Sequence, residues 1–288
     1  MTAFAPNKSD PTIDTYATAI THYVQGGGTR YGYRRMGRES GVPLIFMQNF
    51  RQGMDNIDPL LLDGFAQDRP VITFDNTGVA RSSGETPDTV SEMTRQAVAF
   101  CDVLGLQEFN AVGFSLGGMI AQQLALDYPD RVNRIVLLGT GPRGGEAMTF
   151  TELSAEERAD PEQFLLAAFF SPTDASQAAG RAYLKRLAAR THDRDRPVSP
   201  KTAEAQLHAI REWGAVPSSN RYATLRNIKH PTLVVHGTKD IVVLPINAFI
   251  LTEHLPDAQL IMYPDSNHGA QYQHAELFLK HAKLFLSA

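Results

Sequence analysis

A serine flanked by two glycines is the strongest sign of chemistry in this sequence of 288 residues. Ser115 stands at the centre of Gly113-Phe-Ser-Leu-Gly117, after an apolar run typical of a strand and before a segment with helical periodicity. Such a tight turn strains the backbone, so the residues two positions away must be small. A glycine-rich turn without a chemical role is the alternative, and this context disfavours it. The pattern predicts a serine nucleophile at a helix N-terminus, where the dipole favours negative charge.

The elements that must position this serine are short apolar runs separated by helix-like segments. Residues 20–25 and 29–36, joined by three glycines, predict an antiparallel hairpin. After Pro43, six apolar runs without polar alternation predict strands of a parallel sheet that is covered on both faces. These runs are Leu44–Met47, 71–74, 110–112, 135–138, 232–235 and 259–262. The predicted fold class is therefore α/β, with a mostly parallel, eight-stranded sheet.

Helix signals lie between these runs. Thr89-Val-Ser-Glu92 is a capping-box pattern that begins a helix ending near Gly105. A second helix is predicted to begin at Leu116 and to end before Pro129. A last helix, from about Gln271, carries apolar residues at helical spacing that we expect to pack on the sheet. They are Leu277, Phe278, Leu284 and Phe285.

Residues 141–226 interrupt the alternation of strands and helices. This segment contains no strand-like run, only helix-like stretches such as 161–170 and 175–190. A long insertion between two strands is commonly a lid over an active site. We therefore expect a helical cap. The predicted domains are a flexible N-terminal tail at 1–15, a core at 16–140 and 227–288, and the cap at 141–226.

The chain resembles the α/β-hydrolase superfamily, in its single-domain form with a helical cap. The resemblance covers nearly everything from residue 20 to the end. Besides the serine turn, it includes Asp75-Asn-Thr-Gly-Val-Ala-Arg-Ser82, similar to the family's Asp-x-Arg-Gly-x-Gly-x-Ser turn. Thr77 and Ala80 replace the usual Arg and Gly, in a turn that is structural in the family. The resemblance implies a serine hydrolase in which an acid and then a histidine follow the serine along the chain.

An acid and a base that fit this order lie after the predicted cap. Asp240 follows the run that starts at Thr232, where the family carries its acid. His268 follows the next strand and precedes Gly269, and it matches the family's histidine loop. A serine hydroxyl is a weak nucleophile at neutral pH and needs such a base beside it. The resemblance implies that His268 takes the proton of Ser115 while Asp240 stabilises the imidazolium and fixes its tautomer.

Other acids and histidines fit these roles less well. Asp265 is the nearest alternative carboxylate, and its position is more typical of a residue that shapes the loop. His236 ends a strand, and we expect it to support the site or the fold. The seven remaining histidines have no comparable context. They are His22, His192, His208, His230, His254, His274 and His281.

Two backbone N–H groups are expected to form the oxyanion hole. One belongs to Leu116, directly after the nucleophile. The resemblance places the second on Phe50, in a loop where relatives carry His-Gly and an apolar residue and this chain has Gln48-Asn-Phe50. Asparagine enters the left-handed region more readily than most residues. We therefore expect a positive φ at Asn49 that directs the Phe50 N–H into the site.

Candidate pocket residues come from this loop and from the predicted cap. Asn49 and Arg51 flank the expected donor, and Arg51 is either a contact for a substrate carboxylate or a surface residue. Most aromatic residues of the cap should form its core, while a few, with Trp213 as a candidate, line a mostly apolar pocket. The large apolar residues of the cap are Met148, Phe150, Phe164, Phe169, Phe170, Tyr183 and Trp213.

Composition limits the classes of partner and cofactor. A net charge of -4 and a pI near 6.1 give no reason to expect nucleic acid or an anionic membrane as a partner. The N-terminus lacks an apolar signal region, and no run is long enough to span a membrane, so we expect a cytoplasmic protein. The single cysteine excludes an intramolecular disulfide. No metal-ligand spacing or nucleotide-binding glycine pattern is present, so no cofactor is expected.

The favoured activity is hydrolysis of carboxylic esters of small or medium, largely apolar substrates through an acyl-enzyme. Lactonases, amidases, C–C bond hydrolases and perhydrolases use the same triad, and the sequence leaves them open. A serine nucleophile disfavours dehalogenase and epoxide-hydrolase chemistry, which use aspartate there. A ligand sensor with slow turnover is an alternative of another class. The oligomeric state is not determined by the sequence.

Overall fold

A computed structural model describes residues 14–147 and 160–288. Residues 1–13 of the predicted tail, with Met148 and Phe150, lie outside the described residues. The eight predicted strands are all present and form one sheet in the order β1-β2-β4-β3-β5-β6-β7-β8. β1–β2 and β2–β4 pair antiparallel, and every other pair is parallel. The strands are β1 His22–Gly26, β2 Thr29–Gly37, β3 Leu44–Met47, β4 Pro70–Phe74, β5 Phe109–Phe114, β6 Val132–Leu138, β7 Thr232–Gly237 and β8 Ala258–Tyr263.

Helices connect the parallel strands, and their ends carry the expected sequence signals. The Thr89 side chain accepts the Glu92 N–H at 3.3 Å and caps α2, as predicted. Within the described residues none of the helices is long and apolar enough to cross a membrane. The helices are α1 Pro59–Ala66, α2 Val90–Val103, α3 Leu116–Asp127, α4 Pro161–Phe169, α5 Asp174–Leu187, α6 Pro200–Gly214, α7 Ile246–His254, α8 Ala270–Gln273 and α9 Ala275–Ser287.

Two apolar clusters cover the two faces of the sheet. Alternate residues of β3 divide between them, because successive side chains of a strand point to opposite faces. Leu44 and Phe46 belong to one cluster, which we call the Phe278 core, and Ile45 and Met47 belong to the other, the Trp213 core. The absence of polar alternation in the strands follows from this burial on both faces.

Helix α9 packs on the sheet with only part of the predicted apolar face. Phe278 and Phe285 are buried in the Phe278 core. The prediction is wrong for Leu277 and Leu284, which are 45% and 75% exposed. Adjacent helical residues are rotated by about 100°, so both members of each neighbouring pair cannot face the sheet.

The segment predicted as a cap contains α4, α5 and α6, while the division into core and cap domains stays a prediction. The buried aromatic residues in the described part of the segment do not form a separate core. Phe169, Phe170 and Tyr183 belong to the Phe278 core, and Trp213 belongs to the other cluster. Polar contacts add to this packing, since the Tyr183 hydroxyl donates to the Asn56 carbonyl at 2.7 Å. The described helices of the segment therefore pack directly on the sheet's own covering residues.

A buried ionic cluster joins β2 to the chain before α6. Arg34 Nη1 lies 2.5 Å from Asp55 Oδ1. The backbone N–H of Asp195 donates to Asp55 Oδ2 at 2.6 Å, and that of Asp55 donates to Asp195 Oδ2 at 2.8 Å. A Cβ at Gly53 would lie 2.5 Å from Asp195 Oδ2 and 3.0 Å from Asp75 Oδ1, so these carboxylates are close. Burial, and then a neighbouring carboxylate, raise the pKa of both Asp75 and Asp195.

The one cysteine of the sequence lies on α2 within the Trp213 core. Cys101 is fully buried and unoxidised. Burial raises the pKa of its thiol to about 12. The thiol is therefore neutral and shielded in the folded protein.

Candidate active site

The serine turn has the strained geometry that the sequence predicts. Ser115 links the end of β5 to the start of α3 with φ 53° and ψ -113°. A positive φ is uncommon for a residue with a side chain and persists only where its surroundings enforce it. Here the Ser115 N–H donates to the Leu138 carbonyl at 2.9 Å, and the Thr140 hydroxyl donates to the Ser115 carbonyl at 2.8 Å. The end of β6 thus holds the turn from both sides.

The two flanking glycines are required by close backbone contacts. A Cβ on Gly117 would lie 1.9 Å from the Met47 carbonyl oxygen, and one on Gly113 would lie 2.3 Å from the Gly117 carbonyl oxygen. Neither distance is possible for real atoms, and backbone cannot move aside as a flexible side chain can. The first residues of α3 therefore lie directly against the end of β3, which brings the loop after β3 beside Ser115.

The predicted acid and base contact one another. Asp240 Oδ2 lies 2.8 Å from His268 Nδ1, and both side chains are buried. The other carboxylate oxygen accepts the backbone N–H groups of Val242 and Val243 at 2.8 Å and 2.9 Å. These contacts fix the orientation of the carboxylate, which in turn favours the tautomer of His268 with its proton on Nδ1.

Asp240 is held in its charged form. Burial alone would raise its pKa, but attraction to His268 and hydrogen bonds from both neighbouring histidines outweigh burial, and the pKa of Asp240 lies below its ordinary value. An ionised carboxylate at this position stabilises positive charge on the histidine that it contacts. The pair therefore has the electrostatics that a general base needs.

His268 presents its second ring nitrogen without a partner. Nε2 is buried and has no hydrogen bond, so the contact with Ser115 that proton transfer requires is not made in this structure. Such contacts are often long in unliganded enzymes. Both residues lie close to the end of β6. The Ser115 N–H donates to the carbonyl of Leu138, and a Cβ on the next residue, Gly139, would lie 3.2 Å from His268 Nδ1. The histidine ring also lies 4.8 Å from the ring of Phe114.

Helix α4 packs against the histidine loop. The Phe169 ring lies 5.8 Å from the His268 ring, and the Gly269 N–H donates to the Phe169 carbonyl at 2.9 Å. Asn267 Nδ2 donates to the Ala167 carbonyl at 3.2 Å. The end of α4 thus covers His268 with an aromatic side chain and limits its contact with water.

His236 contacts Asp240 directly. Its Nε2 lies 3.1 Å from Asp240 Oδ2 and 2.7 Å from the Val243 carbonyl oxygen. Because a carbonyl only accepts, Nε2 must carry the proton, and the buried Nδ1 has no partner. His236 is therefore a second donor to Asp240, in the supporting position that was expected. Its place four residues before the acid, at the end of β7, is the only sequence signal for it.

Asp265, the alternative acid, lies outside this arrangement. Its Oδ2 accepts the Thr173 hydroxyl at 2.6 Å, and its backbone has a positive φ of 48°. It forms no hydrogen bond with His268. The contacts fit a residue that shapes the loop between β8 and α8.

The expected conformation of Asn49 is wrong. Among the described residues of this loop, the positive φ belongs to Arg51, at 58°, and not to Asn49. Asn49 Oδ1 instead accepts the Phe50 N–H at 2.6 Å, the group expected to serve the oxyanion hole. Local hydrogen bonding by the asparagine side chain replaces the left-handed conformation. The Arg51 N–H donates to Gln206 Oε1 of α6 at 2.8 Å. This hydrogen bond holds the loop after β3 at the residue that follows Phe50.

Arg51 and Trp213 do not have the positions expected of pocket residues. The Arg51 side chain is exposed. Trp213 is buried in the core named after it, where its indole N–H donates to the Gly141 carbonyl at 3.2 Å and the Arg143 guanidinium lies 4.7 Å from its ring. The structure places Trp213 in packed core and not in the cavity wall described next.

A cavity adjoins the serine turn on the side of β3. Phe114, directly before Ser115, lines it, and so does Asn49. None of its lining residues carries a formal charge at neutral pH, which suits an uncharged ligand. The wall consists of Phe46, Met47, Gln48, Asn49, Gln52, Gly53, Ile57, Leu61, Phe114, Leu138 and Tyr272.

The described ranges, 14–147 and 160–288, contain no group of three or more His, Cys, Asp or Glu residues placed to hold a metal ion. The first helical turn leaves its N–H groups without partners inside the helix. Leu116, the first residue of α3, is therefore available as a donor beside Ser115.

Comparison with known proteins identifies similar chains. The family model described as the alpha/beta hydrolase fold matches residues 43–275. A solved alpha/beta hydrolase fold protein from Chitinophaga pinensis is 41% identical, with a TM-score of 0.90 over 96% of this chain and 100% of that one. A 2-hydroxy-6-oxononadienedioate/2-hydroxy-6-oxononatrienedioate hydrolase from Comamonas testosteroni is 28% identical over 77% of each chain. A pimeloyl-(acyl-carrier protein) methyl ester esterase from Nitrosomonas europaea is 28% identical over 59% of this chain and 68% of its own.

Proposed function

The chain belongs to the α/β-hydrolase fold family and is an enzyme, and from this premise we propose that it is a serine hydrolase acting on carboxylic esters. The observation that carries the proposal is the Asp240–His268 pair, which lies beside the end of β6, the strand whose Leu138 carbonyl holds the strained Ser115. The uncharged, mostly apolar wall that ends at Phe114, next to the serine, supports a largely apolar substrate.

The proposed mechanism proceeds through an acyl-enzyme. His268 Nε2 takes the proton of Ser115 Oγ while the oxygen attacks the ester carbon, and Asp240 stabilises the resulting imidazolium. The carbonyl oxygen gains negative charge and accepts hydrogen bonds from the N–H groups of Leu116 and Phe50. Collapse of the intermediate breaks the ester bond, and the imidazolium gives its proton to the departing alkoxide. Water, deprotonated by the same nitrogen, then releases the acid and free Ser115.

We further propose that residues 141–226 act as a cap that shapes substrate access. The contacts of Phe169 with His268 and Gly269 support this role, because Phe169 belongs to the segment and His268 is the proposed base. The hydrogen bond from Arg51 to Gln206 gives the segment a second contact, with the loop beside the nucleophile. Changes in this segment are then expected to alter substrate range more than the reactivity of Ser115.

Ester hydrolysis fits the site better than the reaction in the name of the Comamonas relative. That name describes a substrate with two carboxylates, a dioate. Among the described residues, the wall of this cavity offers no positive side chain to a second carboxylate. Burying an unpaired carboxylate among apolar side chains is strongly unfavourable. Lactones and peracids need no such charge, and they belong in the same substrate panel.

Covalent labelling and turnover together test the proposal. A fluorophosphonate probe should add once to the protein, at Ser115 by peptide mapping, and label no Ser115→Ala protein. Ser266→Ala is the matched control, since Ser266 is a buried serine of the histidine loop whose hydroxyl already donates to Pro264. A panel of esters, lactones, peracids and amides then ranks the substrates. Labelling that persists in Ser115→Ala would overturn the assignment, and labelling without turnover would favour a ligand sensor.

A further inference from the structure

The carboxylate of Asp240 has a donor for each of its lone pairs. Its Oδ1 accepts the backbone N–H groups of Val242 and Val243. Its Oδ2 faces His268 Nδ1 at 2.8 Å and His236 Nε2 at 3.1 Å. A carboxylate offers about four lone-pair sites. The second histidine therefore occupies the last of them, on the same oxygen that His268 contacts.

His236 is held in this position by its surroundings. It lies near the end of β7 and is fully buried. Its Nε2 proton is shared between Asp240 Oδ2 and the Val243 carbonyl oxygen, which lies 2.7 Å away. Its Nδ1 is buried without a hydrogen bond, and an unpaired buried nitrogen lowers stability. An aliphatic side chain in this strand would avoid that loss, so packing alone does not call for a histidine.

The charge of the Asp240–His268 pair decides what this additional donor does. The pair carries one negative charge when His268 is neutral and none when His268 is protonated. A hydrogen-bond donor stabilises the charged form of the carboxylate that it contacts. Burial raises the pKa of Asp240, while attraction to His268 and then the hydrogen bond from His236 lower it. His236 therefore favours the state in which Asp240 is ionised and His268 is free to take a proton.

Aromatic side chains surround His268 on its other sides. β5 and α4 present the uncharged rings of Phe114 and Phe169 to it. Tyr272 of α8 packs against both of these rings. Burial raises the pKa of the Tyr272 hydroxyl, so this group is neutral as well. These contacts add no charge to the surroundings of the base.

The charged residues nearest to the pair along the chain lie apart from it. Lys239, directly before Asp240, has an exposed side chain. Asp265 of the histidine loop accepts the Thr173 hydroxyl and forms no hydrogen bond with His268. Among the described residues, His236 is therefore the titratable side chain that acts on Asp240 from outside the pair.

We propose that His236 is a positioning residue that keeps His268 unprotonated, and therefore competent as a base, at lower pH than the Asp240–His268 pair alone would allow. The N–H group of His236 acts as a donor to Asp240 and needs no charge of its own to do so. The acid limit of activity then depends on a residue that acts through the carboxylate. This inference rests on the proposed serine hydrolase function, in which His268 is the general base.

Two variants of similar shape test the donor. His236→Gln can place an amide N–H where the imidazole N–H lies, and it cannot titrate, whereas His236→Met has the same length and no donor. NMR titration of the histidine ring signals gives the pH at which His268 is half protonated, and His268 is identified by the signal missing from His268→Gln protein. That pH should rise by about one pH unit in His236→Met, the size of one hydrogen bond to a charged group. It should stay near wild type in His236→Gln.

The dependence of kcat/KM on pH gives a second readout. For an aryl ester, the ratio of the rate at acid pH to the rate on the plateau should be about tenfold lower in His236→Met than in wild type or His236→Gln. A smaller fraction of folded enzyme lowers both rates equally and leaves this ratio unchanged. Thermal melts check folding. If His236→Met does not fold, His236→Asn replaces it, because its shorter side chain does not bring the amide to Asp240 Oδ2.

The inference is overturned if His268 is half protonated at the same pH in His236→Gln and His236→Met, or at a lower pH in His236→Met. A difference between the two variants that persists in Asp240→Asn protein also overturns it, because the effect would not pass through the carboxylate. The NMR titration needs no turnover. If the wild-type protein hydrolyses no ester and takes up no fluorophosphonate, the proposed function fails, and the titration still decides what His236 does to His268.

Discussion

The hydrogen bond between Asn49 and Phe50 bears directly on the proposed oxyanion hole. The Phe50 N–H donates to Asn49 Oδ1 in this unliganded structure. An oxyanion can bind the same N–H only if the asparagine oxygen moves away or shares the proton. Asn49 therefore competes with the transition state for a donor, whereas a glycine at this position would leave that donor to the substrate.

Substitution of Asn49 should reveal this competition in kcat. We expect Asn49→Ala to keep or raise kcat for a small aryl ester, because the competing acceptor is removed. Asn49→Asp has the same shape but a negative oxygen, and we expect a loss approaching the 10²–10³ that removal of one oxyanion donor typically costs. Thermal melts serve as the folding check. A well-folded Asn49→Ala enzyme with a large loss of kcat would mean that the asparagine amide itself binds substrate.

Two aspartates near the histidine loop allow the acid to be identified by activity. Asp240 contacts His268 and Asp265 contacts Thr173. We expect Asp240→Asn to lower kcat by about 10⁴, the loss seen when a triad acid no longer fixes the histidine tautomer. Asp265→Asn is the matched control and should stay near wild type. The opposite order in steady-state kinetics would show that the loop carboxylate is the functional one.

The residues of the site differ in how well the sequence predicts them. The two glycines of the serine turn, Asp240 and His268 each lie at or just after the end of a predicted strand. Their proximity therefore follows once the sheet is predicted. The Asn49 conformation does not follow, because an asparagine can satisfy its backbone through its side chain as readily as by a positive φ. His236 becomes informative only when the partners of its ring nitrogens are known.

At the scale of elements, α9 shows how burial divides one apolar helix. Phe278 is fully buried and Leu277, its neighbour, is 45% exposed. Phe278→Ala should lower the free energy of unfolding by about 3–5 kcal/mol, since it removes a large buried side chain and leaves a cavity. Leu277→Ala should stay within about 0.5 kcal/mol of wild type. Urea denaturation of both variants measures the difference, and similar losses would contradict the assigned face.

The strands are predicted more reliably than the contacts of the inserted segment. A run of apolar residues between turn signals is enough to identify a strand of the parallel sheet, and all six strands predicted in this way are found, together with the hairpin of β1 and β2. The aromatic residues of the insertion carry no sequence signal for the surface on which they pack. Phe169, Tyr183 and Trp213 therefore suggested a separate core, whereas they join the two clusters that flank the sheet.

At the scale of the whole molecule, the buried ionic cluster ties distant parts of the chain together and makes stability depend on pH. Burial, and then repulsion from the neighbouring Asp55 carboxylate, raise the pKa of Asp195 above the value of about 4 that is expected in the unfolded chain. The folded protein thus holds this proton more tightly than the unfolded chain. The stability that this proton adds is fully present below about pH 4, and it is lost as the pH rises through the pKa of Asp195 in the folded protein.

Asp195→Asn should therefore stabilise the protein at neutral pH, because it removes a carboxylate whose ionisation is disfavoured by burial. The asparagine oxygen can still accept the Asp55 N–H, and the gain should shrink as pH falls towards about 4. Asp193→Asn, on the same segment but with a half-exposed side chain, is the control and should change the pH dependence little. Urea denaturation across this pH range decides. A variant that is less stable at every pH would mean that the attraction of the Asp195 carboxylate to Arg34 and Arg81 outweighs the cost of burying its charge.

The burial of Cys101 has a practical consequence for the study of motion. The folded protein has one thiol, and that thiol is neutral and sealed within the Trp213 core. A fluorophore or spin label aimed at cysteine should leave it unmodified, so a cysteine introduced on an exposed face of α4 would carry the only label. The slow rate at which Cys101 reacts with a thiol reagent would, in turn, measure how often α2 moves away from the sheet. The reaction rate of Cys101 therefore reports large openings of the protein, and its lack of labelling leaves a label on α4 free to report small motions.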